Sequence, residues 1–285
     1  MIVSTTSNKS DRKNKIKKAV SYSAAVIFWL AVWHMASIRI NKSVVLVSPL
    51  DVVKTLFSLV GEAAFWHTVL FSFIRISGGF FAALVSGTIL AAAAARYEFV
   101  RVLLSPLTAA VKATPVASFV ILALLWMPSR QLAVFISFLM VFPVMYTNVL
   151  NGIMNVDKKL LEMAKVYKIP PLKKLLYIYL PDVMPFFVSA CTVSLGLCWK
   201  SGIAAEVIGQ PSGSIGDRLY RAKIYLETAD LFAWTLVIIV ISAAFERVFL
   251  FLVKLLEKKI NKGGIKNIGC HSTAKKPSKS NSAPI

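Results

Sequence analysis

Charged side chains interrupt or flank stretches otherwise suited to lipid: Arg75 in SFIRISGGF, Lys112 in VKATPVASF, and Lys200 and Glu206 on either side of SGIAA, flanking the outer end of the fifth such stretch. A charge in hydrocarbon is costly, so each needs a partner, an interfacial anchor or a water-filled path. Arg75 could snorkel outward, pair with an acid such as Glu206, or face an anionic solute. Lys112, Lys200 and Glu206 leave the same choice open between structural anchoring and contact with a transported solute. Pro115, three residues after Lys112, removes a backbone hydrogen bond and must kink or break its helix. The carbonyls it exposes are tolerated only against protein or water, so a polar path and a packing kink both account for it.

A second charged constellation lies outside such stretches. The segment EMAKVYKIPPLKKLLYIYLPDVMPFF, Glu162 to Phe187, opens with an acid and carries four lysines and two adjacent prolines between two of the most apolar parts of the chain. From Asp157 to Tyr167 the pattern predicts a short helix with Leu160, Leu161, Ala164 and Tyr167 on one side and Lys158, Lys159, Glu162 and Lys165 on the others. Pro170 and Pro171 end it, because a proline clashes with a continuing helix and pushes its predecessor toward extended geometry. A second helix is predicted from Leu172 to Pro181. Helix, sharp break and helix make a rigid protrusion suited to docking.

Enzymatic chemistry is absent from the motifs. No HExxH, no paired intramembrane aspartates, no Ser/His arrangement and no nucleotide-binding P-loop occurs, and the Gly-rich GQPSGSIGDRLY lacks the GK[ST] ending of a phosphate cradle. A secondary transporter or channel would want internal repeats or intramembrane acids, and neither is evident. Cys191 and Cys198 lie in an apolar run and Cys270 near the end, which is neither a disulfide framework nor a metal spacing. His34 and His67 read as interfacial, as do Glu246 and Arg247.

The elements that must position these residues are membrane spans. With 57% hydrophobic and 16% charged residues over 285 positions, the chain is too apolar for an ordinary water-soluble domain. Runs near the roughly 20 residues needed to cross a bilayer begin at about Ala19, Thr68, Leu107, Gln131, Met184 and Leu231. The fold class expected is therefore an all-α membrane protein with six transmembrane helices. Positive charge gathers in the head, at Arg96 and Arg101, across Asp157–Asp182 and from Lys254 on; the alternate segments hold far less. This bias places both termini in the cytoplasm and accounts for the net charge of +20 without nucleic acid. The division expected is a basic head (1–18), a membrane domain (19–260) with its cytoplasmic loop at about 155–183, and a tail (261–285), head and tail both disordered. Gly79, Ala83, Gly87, Ala91 and Ala95 recur every four residues, a flat face for close helix approach. Ser48, Pro49 and Asp51 predict the capped start of a short amphipathic helix on the outer surface.

The loop residues resemble a known family. Glu162-Met163-Ala164, then Lys168, then Ile178-Tyr179-Leu180-Pro181 is similar to the EAA loop of bacterial ABC importer permeases, with Met163 where Ala and Lys168 where Gly are usual. SFIRISGGFFAALVSG, SPLTAAVKATPVASFVILALLWM and SLGLCWKSGIAAEVIG resemble the subgroup for nitrate, sulfonate, taurine and related solutes, and the resemblance covers roughly Ser48 to Glu257. It implies a multi-pass protein of the bacterial inner membrane that works as a homodimer. It also implies partner P-loop ATPase subunits, which use ATP and Mg while this chain binds no cofactor, and an extracytoplasmic binding protein that delivers solute. In that setting Glu162, Met163, Ala164 and Lys168 bear on the ATPase, Pro181 fixes the exit of the second loop helix, and Arg75, Lys112, Pro115, Lys200 and Glu206 are the pathway candidates. The lone basic residues fit an anion.

Overall fold

The computed structural model describes residues 6–40 and 45–268, with side chains for 21, 23–40 and 45–255. Its regular structure is helical throughout those residues. The elements are α1 (Thr6–Ile40), α2 (Pro49–Val60), α3 (Ala63–Arg96), α4 (Glu98–Ala113), α5 (Val116–Leu124), α6 (Ser129–Met154), α7 (Lys158–Val166), α8 (Pro171–Lys174), α9 (Leu180–Gly209), α10 (Ile215–Ile224) and α11 (Thr228–Ile268), with one π-helical turn at Leu175–Tyr179.

Five segments are long and apolar enough to cross a membrane: Ser23–Ile40, Ala63–Arg96, Ser129–Met154, Pro171–Gly209 and Thr228–Leu255. The expected span near Leu107–Trp126 is not a straight helix. It consists of α4 and α5, bent by 105° at their junction, so the chain has six spans only if this pair is one broken span. Thr114, the residue before Pro115, takes the extended ψ of 134° that proline imposes on its predecessor, and Pro115 then caps α5. Position and cause were legible; the size of the turn was not.

α1 is helical from Thr6, within the head expected to be disordered, and α11 continues past Asn261 to Ile268. Extending an existing helix requires no new nucleus, and Lys and Arg are good helix formers. The tail from Gly269 on, with Cys270, lies outside the described residues.

The chain divides into two compact units. The first takes in residues 1–79, 115–137 and 199–242. In it α2 starts as the sequence requires, Ser48 Oγ accepting from the Asp51 amide, and lays Val52 against Val47 and Ala233 with Trp33 and Phe232 around them. Phe65 stacks on Trp234 with centroids 5.2 Å apart. At Gly202 any Cβ would meet Ser137 Oγ at 2.6 Å and Ile76 Cγ1 at 2.7 Å, so the absence of a side chain sets how closely α9 packs.

The second unit takes in residues 80–114, 138–198 and 243–285. Ala83, Gly87 and Ala91 of the small-residue stripe are buried, and a Cβ on Gly87 would press on Met145 Cβ at 3.0 Å. Phe80 meets Phe245 and Phe249 edge to face. Cys191 and Cys198 are buried in α9, as packing residues would be.

Candidate functional site

The break after α7 is built from local chemistry. Asp157 opens the helix by accepting from the Lys159 amide at 2.9 Å. At the other end the Ile169 amide donates to the Ala164 carbonyl at 3.0 Å and the Lys168 amide to the Lys165 carbonyl at 3.1 Å. These two bonds are the Schellman pattern, with Lys168 in the left-handed position at φ 49°. Its usual accompanying apolar contact is present too, since Ile169 packs on the cluster of Val156, Ala164 and Ile178. Pro170 continues in extended geometry, ψ 149°, and Pro171 starts α8.

Lys168 therefore stands where the backbone favours glycine. A left-handed conformation costs an L-residue about 1–2 kcal/mol and glycine almost nothing, although glycine gives back part of this in the unfolded chain. For Lys168→Gly we expect hydrogen exchange at the Ile169 amide to slow by about fivefold, equivalent to about 1 kcal/mol of added protection. Exchange at an unchanged or faster rate would show that the position carries no strain.

The second loop helix differs from expectation. It does not end near Pro181. α8, the π turn and α9 form one helical track from Pro171 to Gly209. Pro181 has no N–H to give to the Tyr177 carbonyl, and its ring would collide with that carbonyl in a regular helix. The wider turn comes just before it, where the Leu180 amide reaches back to Leu175. Pro181, half-buried, thus lies inside a continuous helix rather than at the exit of a separate one.

Burial sorts the expected docking residues. Glu162, Met163 and Lys168 are exposed, but Ala164 is buried, only 3% accessible. Its small side chain instead lets α7 close onto Val156 and Ile178. The most exposed apolar side chains of the loop are Val166 at 77%, Tyr167, expected on the apolar side of the helix, at 75% and Leu172 at 72%. They bracket the double proline among lysines. Tyr167 continues the apolar spacing but is the C-cap residue, past the end of α7, whereas Val166 is off the apolar stripe, which is the signal that could have found it.

The intramembrane charges separate likewise. Glu206 in α9 is fully buried, and one carboxylate oxygen, Oε2, accepts from Ser72 Oγ of α3 at 2.8 Å and from the Gly216 amide at 3.2 Å. The Ile215 amide donates to Ser72 Oγ at 2.9 Å. The carboxylate thereby receives the Gly216 amide of the first turn of α10 directly, and the Ile215 amide only by way of Ser72, where the helix dipole favours negative charge. A Cβ on Gly216 would overlap Glu206 Cβ and its carbonyl carbon, so only glycine permits the approach. Glu206 is a bracket for α10 and does not line an open path.

Arg75 is half-buried with its guanidinium 3.6 Å from the centroid of the Phe71 ring, and its Nη1 makes no hydrogen bond among the described residues. It lies within Coulombic reach of Glu206 but forms no ion pair with it, which corrects one of the three readings of Arg75. Lys112 is exposed at the end of α4 and donates to Thr147 Oγ1 at 3.3 Å. Lys200 is exposed on α9 well inside the helix. Pro115 marks the bend already described.

The family is decided by comparison with known proteins. The family model described as "Binding-protein-dependent transport system inner membrane component" matches residues 83–262, which take in α4 to α10. The chain belongs to this family of ABC importer permeases. A protein of Bacillus subtilis (strain 168) named as an aliphatic sulfonates transport permease is 25% identical to the permease over 236 residues, covering 82% of this chain and 83% of the relative. The taurine transport system permease protein of Escherichia coli (strain K12) is 23% identical over 75% and 80% of the two chains. The nitrate import permease protein of Synechococcus elongatus is 23% identical over 73% and 78%. The permease is accordingly a multi-pass protein of the inner membrane, and the family's work is transport rather than catalysis.

Proposed function

We propose that the permease forms, with a second copy of itself, the pathway by which a small solute, an anion such as a sulfonate or nitrate or a zwitterion such as taurine, is imported. A separate P-loop ATPase, using ATP and Mg, supplies the energy, and an extracytoplasmic binding protein delivers the solute. Both termini and α7 face the cytoplasm, where closure of the ATPase pair pushes α7 and switches the bundle between inward-facing and outward-facing forms. The observation that carries this reading is α7 itself. It is a short helix locked at both ends, held by a buried apolar cluster and followed by an exposed Val166–Tyr167 tip, within a chain of an importer family. Because α8 continues into α9 through the π turn, a push on α7 has a continuous helix to act on.

Among the pathway candidates the energetics favour Lys200. An exposed ammonium within a span costs about 3 kcal/mol against lipid, so this face of α9 turns to water or to the second copy. Arg75, stacked on Phe71 with Nη1 unpaired, is the next candidate for an anion.

The test is purification of the tagged permease from its native membrane in mild detergent, with mass-spectrometric identification of what accompanies it. A P-loop ATPase in near-equal amount is expected with the wild type, and clearly less of it with Glu162→Ala. A correctly folded permease that brings no ATPase would overturn the reading.

A further inference from the structure

Within the first unit, the end of α2, the start of α3, α10 and the start of α11 enclose a cleft of about 260 Å³. Buried Phe65 and Trp234 contribute to its lining, and Glu62, Arg218, Glu227 and Asp230 stand around them. Glu62, Glu227 and Arg218 all lie within Coulombic reach of Asp230. Yet none of the four takes part in the ion pairs formed among the described residues, which join Lys54 to Asp51, Arg101 to Glu98 and Arg221 to Asp217. Charges of both signs thus share one small cavity without neutralising one another in pairs.

We propose that this cleft binds a small zwitterion carrying an ammonium group at one end and a sulfonate or carboxylate at the other. Asp230 supplies an acceptor for the ammonium, and Glu62 and Glu227, within Coulombic reach of it, add negative charge around that end. The Arg218 guanidinium presents the planar donor fork that a carboxylate or sulfonate accepts. Phe65 and Trp234 offer apolar surface to the short carbon chain between the two charges. The cavity suits a molecule of a few heavy atoms. It is small for a drug-sized ligand, whose sites start at about 300 Å³. Arg221 also lines the cleft, but its Nε is held by Asp217 at 3.0 Å, which leaves Arg218 as the unpaired guanidinium. The bracket of Glu206, Ser72 and Gly216 is a positioning device for this site, since it fixes the end of α10 that bears Arg218. The inference rests on the importer reading, in which this face is turned outward and receives solute.

The experiment is calorimetric titration of the full chain, with whatever proteins copurify, in lipid nanodiscs. Taurine, ethanesulfonate and ethylammonium are the probes, which share a two-carbon body and differ in which charge is present. Taurine is expected to bind at least about tenfold more tightly than either singly charged probe, the loss expected when one charge-assisted contact is removed. Asp230→Asn should weaken taurine and ethylammonium while leaving ethanesulfonate unchanged. Arg218→Gln should weaken taurine and ethanesulfonate and leave ethylammonium unchanged. Because both positions are partly exposed, unchanged unfolding midpoints serve as the folding control. Equal binding of taurine and ethanesulfonate, or taurine binding indifferent to both substitutions, overturns the proposal. So does a lack of small-molecule binding combined with loss of an extracytoplasmic protein on Asp230→Asn, which would make the cleft a protein contact. Retention of the ATPase is read independently, so the cleft and the importer reading can fail separately.

Discussion

Gly216→Ala is expected to detach the start of α10 and lower the stability of the permease by about 3 kcal/mol, an overpacking cost at the upper end of the usual range. The added Cβ would overlap Glu206 Cβ, the Glu206 carbonyl carbon and the Val207 amide. Two of these are backbone atoms within α9, which cannot swing aside as a flexible side-chain end would. Moving α10 away instead breaks the Gly216 amide bond to Glu206 and the Ile215 amide bond to Ser72, leaving a buried carboxylate short of donors. The control is Gly196→Ala, also within α9, where nothing lies within 4 Å of an added Cβ. There alanine should stabilise by about 0.5–1 kcal/mol, the ordinary helix preference over glycine. Unfolding of both variants in detergent, followed by tryptophan fluorescence, decides the matter. If Gly216→Ala unfolds within about 0.5 kcal/mol of wild type, the bracket is not the constraint described here.

The second large effect concerns the α7 tip. Val166→Asp combined with Tyr167→Asp should reduce ATPase retention by about 30-fold or more while leaving the unfolding midpoint unchanged. Interface hot spots cost at least 2 kcal/mol when truncated, about a factor of 30 for one such residue, and aromatic residues are prominent among them. Both side chains are about three-quarters exposed, so the fold loses little when they change. Ala164→Leu makes the converse case. Ala164 is buried against Val156 and Ile178, so a larger side chain there should destabilise α7 itself, and any loss of ATPase would follow from a distorted loop. Full ATPase retention by the doubly substituted tip would remove Val166 and Tyr167 from the docking surface.

Much of this protein was decided by short-range chemistry that can be read from the chain. The cap at Ser48, the small-residue stripe from Gly79 to Ala91, the break at Pro115 and the stop before Pro170 and Pro171 each depend on residues within a turn or two. The left-handed position at Lys168 belongs to the same class, because a helix that stops before a double proline must dispose of its last carbonyls locally. Even the family was legible, through Glu162, Ala164 and Pro181 at their spacing in a cytoplasmic-type loop. Tertiary structure decided what depends on distant partners. Glu206 stood out as a costly charge, but its role follows from Ser72, 134 residues away, and from the amide of Gly216, a fold-dependent approach. Ala164 and Val166 lie two positions apart, and only packing on Val156 and Ile178 determines that one supports the loop while the other is presented to solvent. Proline at 181 announces a missing hydrogen bond, yet whether the helix ends or widens depends on whether the flanking turns are held by packing. The cleft of Glu62, Arg218 and Asp230 draws on three separate segments. Burial is a property of what the rest of the chain brings near, and a window of one or two turns does not contain it.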